Sequence, residues 1–149
     1  MIDIEKRKLL SEKLRHLISG QIDNLEYDDL EFEGHFDSDD RAVFEVFEQS
    51  WFLYDDFKSH KIELSKHDKR VICRWIIFLH SELEYEWPRV SLLSVRSLKV
   101  LFYRISSGVF FKSISTDDYL LGDKSIWPFY RKYDYDLALK NPKFLANIA

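Results

Sequence analysis

The sequence is poor in cysteine, glycine and proline. One cysteine, Cys73, among 149 residues cannot form an internal disulfide or a thiolate metal cluster, which indicates a reducing compartment. Four glycines and three prolines argue against a turn-rich β-sandwich or barrel. Charges interrupt residues 1–14, where a signal peptide needs an unbroken apolar core, and 32% charged residues argue against a membrane span. We therefore expect a cytoplasmic protein that does not contact a membrane.

The sequence also lacks the motifs of common catalytic and cofactor-binding sites. There is no phosphate-binding loop, no glycine-rich dinucleotide fingerprint and no nucleophile elbow. No two of the five histidines are spaced as zinc ligands on one helix turn, and no cysteine–histidine ligand set exists. The sequence accordingly predicts no catalytic residue, no metal site and no cofactor.

The strongest helical signal covers residues 65–83. Ser65 and Asp68 have the spacing of a capping box, in which the hydroxyl accepts from a first-turn N–H and the carboxylate reaches back. The following residues are apolar on almost every face, so a helix here has to be surrounded by protein, with Cys73 as a buried, inert thiol. Hydrophobic residues make up 46% of the chain, enough for one core. We therefore predict a mainly α, single-domain, helical-bundle-like fold over residues 1–149, around a buried central helix at about residues 65–83.

An amphipathic helix is predicted over residues 3–19. Leu10, Leu14 and Leu17 share one stripe, Asp3 can cap the N-terminus and Gly20 can end the helix. The basic residues lie off this stripe and are expected to be solvated, namely Lys6, Arg7, Lys13 and Arg15.

The remaining segments follow from periodicity and turn residues. A helix over residues 39–57, capped by Ser38 or Asp39, is predicted to have an aromatic stripe of Phe44, Phe47, Trp51 and Tyr54. A short final helix is expected over residues 133–140, ended by Asn141–Pro142. Residues 23–40 are predicted to be a loop with one short turn, and residues 109–130 to contain at most a small extended or hairpin segment.

Acidic residues concentrate in two places. Residues 23–57 contain thirteen acidic residues and one basic residue, Arg41. After the central helix, Glu82, Glu84 and Glu86 alternate with apolar residues. Aromatic side chains among carboxylates suit a basic protein partner, because the rings supply affinity and the acidic field speeds and orients encounter. We predict that the partner-facing residues are Asp28, Asp29, Glu31, Glu33, Asp55, Asp56, Glu82, Glu84, Tyr85, Glu86 and Trp87, with Tyr85 and Trp87 as exposed aromatic anchors.

Three other uses of these residues remain open. A divalent metal could be held for catalysis by carboxylates and one imidazole, drawn from Asp55, Asp56, His60, Glu82, Glu84 and Glu86. Residues 89–112 are predicted to be a helix with five basic and no acidic residues, which could contact nucleic acid. We expect it to balance the acidic region instead, without direct nucleic-acid binding. Exposed aromatic residues could also form a homodimer seam.

Three segments resemble a family of short bacterial proteins. They are residues 78–88, residues 51–56, and residues 127–142 with their Trp-Pro-Phe start, together about a third of the chain. Some proteins of this kind are similar to immunity proteins of contact-dependent growth inhibition and related polymorphic toxin systems. The resemblance implies a small cytosolic protein that neutralises a cognate toxin domain by direct binding, and it carries no catalytic motif. Because a nuclease needs a basic cleft for its substrate, an acidic inhibitor points to a nuclease domain as the partner.

Overall fold

The computed structural model describes residues 1–55, 57–87 and 122–141. It contains five α-helices, and no strand lies within these ranges, which confirms the mainly α, bundle-like prediction. The α-helices are α1 (Ile4–Ile18), α2 (Asn24–Phe32), α3 (Arg41–Ser50), α4 (Lys66–Leu79) and α5 (Lys132–Lys140), with 3-10 turns at Trp51–Leu53 and Lys124–Ile126. The predicted basic helix over 89–112 and most of the predicted extended segment over 109–130 fall outside the described residues.

Helix α1 forms as its pattern predicts. The carboxylate of Asp3 accepts from the backbone N–H of Lys6 at 3.0 Å, and the chain leaves the helix at Gly20, whose φ of 69° favours glycine. Leu10, Leu14 and Leu17 are fully buried. This stripe is one wall of the core.

Helix α4 begins as predicted but differs from the predicted central helix in two ways. The capping box of Ser65 and Asp68 is present in both directions. The helix ends at Leu79 rather than near residue 83, and the chain continues without helical structure through residues 82–86. One face is buried, with Trp75, Ile76 and Leu79 among its residues, but Cys73 is exposed. The prediction of a helix buried on all sides, with an inert interior thiol, is therefore wrong.

Helix α2 occupies a segment that was predicted to be a loop. Asp23 accepts from the backbone N–H of Glu26 at 2.9 Å, and its own N–H donates to the Glu26 carboxylate at 2.8 Å. This reciprocal cap satisfies two polar groups at the helix start, and its Asp-x-x-Glu spacing is readable in the sequence. The capping signal outweighed the crowding of like charges from which a loop was predicted.

Helix α3 is shorter than predicted and differs in its cap. Asp40, rather than Ser38 or Asp39, accepts from the backbone N–H of Ala42 at 2.9 Å. The buried face is centred on Val43, Val46 and Phe47, whereas Phe44 is 44% exposed. The predicted aromatic stripe is therefore wrong at Phe44, because a valine pair adjoining Phe47 faces the core instead.

The core is formed mainly by α1, α3 and α4. Their inward residues make one buried cluster that also includes Tyr27 of α2 and Phe36. The rings of Phe36 and Phe47 lie 4.8 Å apart between centroids, and both contact Tyr27. Aromatic side chains bury large areas each, so this cluster dominates the contact between α2 and α3.

A buried ion pair joins the N-terminal region to the rest of the chain. Arg7 was predicted to be solvated, but it is 1% exposed, with its Nε 2.5 Å from Oδ2 and its Nη2 3.1 Å from Oδ1 of Asp40. The same guanidinium donates from Nη1 to the carbonyl oxygens of Ser81 at 3.0 Å and Leu83 at 2.9 Å. Asp40 also accepts from the backbone N–H of Asp3 at 2.9 Å. Every charge-bearing atom of the pair is thus satisfied, which offsets the large cost of desolvating two ions.

Residues 123–141 belong to the same compact unit as residues 1–86. Arg74 of α4 donates to the carbonyl oxygen of Trp127 at 2.6 Å, and the Trp127 indole donates to the Tyr85 hydroxyl at 2.9 Å. Phe129 is fully buried against Phe78. Helix α5 confirms the predicted final helix. The remaining residues, 87–122, form a second unit, so the prediction of a single domain over 1–149 is not tested by the described residues.

No helix in the described ranges has both the length and the apolar character that crossing a bilayer requires.

The ion pair leads to a prediction for Asp40→Asn, with Asp39→Asn as the exposed neighbouring control. Burial would raise the pKa of Asp40, but the hydrogen bonds from Arg7 and from the backbone N–H groups of Asp3 and Ala42 outweigh it and hold that pKa below 3.8. At neutral pH we expect Asp40→Asn to lower the free energy of unfolding by about 3 kcal/mol, because Arg7 stays buried without a counter-charge. Asp39→Asn should change it by less than about 0.5 kcal/mol.

The cost of Asp40→Asn should depend on pH in a definite direction. A carboxylate with a lowered folded pKa stabilises the fold above its unfolded pKa, and this stabilisation disappears as pH falls through the folded value. Urea unfolding of both proteins from pH 7 to pH 2.5 should show the difference between them shrinking below about pH 4. A difference that is constant over this range would contradict the assignment of the stabilisation to the ionised pair.

Candidate partner-binding surface

The structure brings together part of the predicted acidic site on α2 and the segment that follows α3. We call this surface the acidic face and define it by Asp28, Asp29, Glu33, Trp51, Phe52, Asp55 and Phe57. Asp29, Glu33 and Asp55 are exposed, and Asp28 is half-buried. The three aromatic side chains are also exposed, at 39% for Trp51, 41% for Phe52 and 75% for Phe57. The backbone N–H of Phe57 donates to Oδ1 of Asp55 at 3.1 Å.

Hydrogen bonds from Asn24 hold the loop of the acidic face against α2. Asn24 is fully buried, and its amide donates to the carbonyl oxygens of Asp55 at 2.6 Å and Lys58 at 3.0 Å. Its side-chain oxygen accepts from the backbone N–H of His60 at 2.7 Å. One side chain therefore fixes the backbone on both sides of Phe57. Sequence reasoning did not single out Asn24, because a lone Asn next to acidic residues carries no distinctive pattern.

Two further hydrogen bonds join the loop to the acidic side chains themselves. The Tyr54 hydroxyl donates to Oδ1 of Asp28 at 2.8 Å, and the Ser59 hydroxyl donates to Oδ2 of Asp23 at 2.6 Å. The backbone N–H of Glu26 and the Ser59 hydroxyl lower the pKa of Asp23. Asp23 is therefore ionised at neutral pH and contributes negative charge at the margin of the acidic face.

Tyr27 fastens α2 to the end of α3 beneath the acidic face. Its hydroxyl lies 2.9 Å from the Ser50 hydroxyl, which itself donates to the carbonyl oxygen of Phe47 at 2.6 Å. The Ser50 proton is thus committed, so Tyr27 is the donor in this pair. Burial raises the pKa of Tyr27, which keeps the phenol neutral and able to donate. Its ring meets that of Tyr54 edge-on, with centroids 6.1 Å apart.

The exposed rings are not the ones that the sequence predicted as anchors. Tyr85 and Trp87 are only 9% and 6% exposed, so the prediction that they are exposed anchors is wrong. The Tyr85 hydroxyl accepts from the Trp127 indole, and the Arg41 guanidinium lies 5.0 Å from the Tyr85 ring centroid. Tyr85 lies between the exposed Glu84 and Glu86. In an extended segment successive side chains point to opposite sides, so the residues that alternate with exposed glutamates point to the interior.

The sequence does contain a signal for the observed anchors. Trp51 and Phe52 are consecutive, and neighbouring residues of a helix point about 100° apart. The two adjacent rings therefore point in different directions, and both are partly exposed. The Trp51 ring meets the buried Phe47 ring edge-on while itself remaining partly in solvent.

The predicted acidic residues after α4 form a separate group. Glu82, Glu84 and Glu86 are all exposed, and Glu86 pairs with Arg131 at 2.7 Å. The backbone of this segment is bound by Arg7, which donates to the carbonyl oxygens of Ser81 and Leu83. The two acidic groups of the predicted site are thus held in place by different contacts. Asp56 and the side chain of Glu31 lie outside what the structure describes.

The metal alternative gains no support from the described residues. Among residues 1–55, 57–87 and 122–141, no three or more His, Cys, Asp or Glu side chains are close enough to hold a metal ion. The alternative set draws on both acidic groups, and Asp55 and Glu84 belong to different ones.

Comparisons of the chain with protein-family models, with curated proteins and with solved structures find no match. The resemblance to immunity proteins stays a prediction.

The role of Asn24 predicts the effect of Asn24→Ala, with the exposed amide change Gln21→Ala as its control. Removing the side chain leaves three backbone groups of the loop without their partner, and we expect a loss of about 2 kcal/mol in the free energy of unfolding. Amide hydrogen exchange of residues 57–60 should also speed up more than exchange in α4. Gln21→Ala should cost less than about 0.5 kcal/mol. Unchanged exchange in the loop would show that Asn24 does not position Phe57.

Proposed function

We propose that this protein is an immunity protein that binds and neutralises a cognate toxin domain, and that the toxin is a nuclease. The observation that carries the proposal is the acidic face. Its exposed rings, Trp51, Phe52 and Phe57, belong to a segment that hydrogen bonds of Asn24 and Tyr54 join to the acidic helix α2. The resemblance of residues 51–56, 78–88 and 127–142 to a family of short bacterial proteins, some of which are similar to immunity proteins, favours the same class.

The mixture of rings and carboxylates suits a basic protein surface. Large aromatic side chains dominate binding energy when a partner buries them, since each removes a large apolar area from water. Carboxylates around the rings accelerate encounter with a positive surface and orient it. An ordinary solvated face would have the charges without a group of half-exposed rings.

A nuclease domain offers the matching surface. Its substrate is a polyanion, so its active cleft concentrates Lys and Arg. Carboxylates on a rigid helix can occupy the positions that phosphates take in the substrate. Helix α2 meets this requirement, because its cap at Asp23 and its buried Tyr27 fix the position of the helix on which the acidic residues lie.

The proposal is tested by a double charge reversal, Asp29→Lys with Glu33→Lys. The matched control is Glu5→Lys with Glu63→Lys, which makes the same change in net charge at two exposed sites outside every predicted binding residue. Tagged wild-type protein is first used to capture its partner from the native host at low salt. The captured protein is then purified, and its affinity for each variant is measured by surface plasmon resonance.

We expect the double reversal on α2 to weaken binding by about tenfold or more, chiefly through slower association, while the control retains near-wild-type affinity. The wild-type association rate should also fall as the salt concentration rises from 0.05 to 0.5 M. The distance over which surface charges act shortens with salt, from about 10 Å at 0.1 M to about 3 Å at 1 M. Inhibition of the partner's nuclease activity is measured in parallel. If the α2 double variant is folded and binds the partner with the same affinity as the control, the acidic face is not the binding surface.

A further inference from the structure

A basic cleft lies on the face of α1 that adjoins the end of α4. It has a volume of about 420 Å³. Its lining includes Lys8, Ser11, Glu12, Arg15, His16 and His80. The α1 members are spaced by three and four residues, so they share one side of the helix. His80 caps the C-terminus of α4. The cleft shares no residue with the acidic face.

Two cationic side chains, Lys8 and Arg15, and one carboxylate, Glu12, line this cleft. Lys8 and Arg15 are both exposed, and neither forms an ion pair within the described ranges. The carboxylate of Glu12 is directed to His16, at 3.9 Å. Two cations that face the same cleft repel each other, and a bound anion would reduce that repulsion.

The pKa of His80 also responds to the positive charges of this cleft. Burial, followed by the positive charges of Arg15 and Lys8, lowers the pKa of His80 below 6.5. A neutral imidazole at the floor of the cleft keeps one ring N–H for donation. The cations therefore act on the interior of the cleft as well as on its rim.

The hydrogen bonds of Ser11 argue for binding rather than nucleophilic catalysis. The Ser11 hydroxyl donates to the carbonyl oxygen of Lys8 at 2.8 Å, so it accepts from Nε2–H of His80 at 3.1 Å. A serine nucleophile needs the opposite arrangement, in which the imidazole accepts the hydroxyl proton. This serine–histidine pair shapes the floor and does not activate the hydroxyl.

We propose that the basic cleft binds the phosphate group of a small phosphorylated molecule, with Lys8 and Arg15 as its cationic contacts. A phosphate dianion matches two cations, and guanidinium presents paired donors to phosphate oxygens. The volume exceeds what a bare phosphate fills and falls within the range of ligand pockets. This proposal does not depend on the toxin-binding proposal, because it uses different residues and a different ligand.

The test uses the full chain with two probes, inorganic phosphate and adenosine monophosphate, at low ionic strength balanced with sodium chloride. Isothermal titration calorimetry gives the affinity, and NMR of the histidine rings gives the site, with His80→Gln used to assign the His80 signals. The variants are Lys8→Gln and Arg15→Gln. The matched control is Lys69→Gln, which removes one exposed positive charge from α4 outside the cleft. Circular dichroism checks that each variant is folded.

We expect saturable binding of at least one probe, weakened about tenfold by Lys8→Gln or Arg15→Gln and changed less than about twofold by Lys69→Gln. Bound phosphate should also raise the pKa of His80, which faces Lys8, Glu12, Arg15 and His16, and should move its ring signals. Equal affinity for the two probes would mean that the cleft recognises the phosphate group alone, and tighter binding of the nucleotide would mean that it also contacts the remainder. Absence of saturable binding by the wild type, or equal losses in all three lysine and arginine variants, would overturn the proposal.

Discussion

The ion pair between Arg7 and Asp40 is the constraint on which the described fold depends. One guanidinium binds the carboxylate that caps α3 and also two carbonyl oxygens after α4, while that carboxylate binds the backbone before α1. Four parts of the chain therefore meet at a single buried contact. Replacing only one partner leaves an unpaired buried charge, so the contact is specific even if its net contribution to stability is small.

The two proposed binding surfaces rest on different supports. The acidic face is held by polar side chains that grip the backbone, above all Asn24, and by the cap of α2. The basic cleft is built from one face of α1, whose opposite stripe of Leu10, Leu14 and Leu17 fills the core. Because α1 is fixed on its apolar side, the backbone positions of Lys8 and Arg15 are fixed as well. The two surfaces share no residue.

Much of the helical architecture was predictable, because local rules determine it. The caps of α1 and α4 and the leucine stripe follow from spacing alone. The errors arise where long-range contacts decide the outcome. Arg7 looks like a solvated residue until Asp40, which is distant in sequence, is placed beside it. Tyr85 and Trp87 resemble exposed anchors because they stand among glutamates, yet Trp127 and Arg41 enclose Tyr85. Of the predicted binding residues, the α2 and Asp55 carboxylates come together, whereas those after α4 form a separate group. No sequence pattern distinguishes these two outcomes.

The central claim is that a protein partner docks on the acidic face, and amide hydrogen exchange of the complex tests it most directly. Exchange is measured for this protein alone and with its captured partner, over short labelling times that resolve exposed segments. The account predicts new protection in residues 24–33 and 51–60, with little change in residues 8–19 and 82–86. Protection confined to residues 82–86, or to the basic cleft on α1, would contradict it.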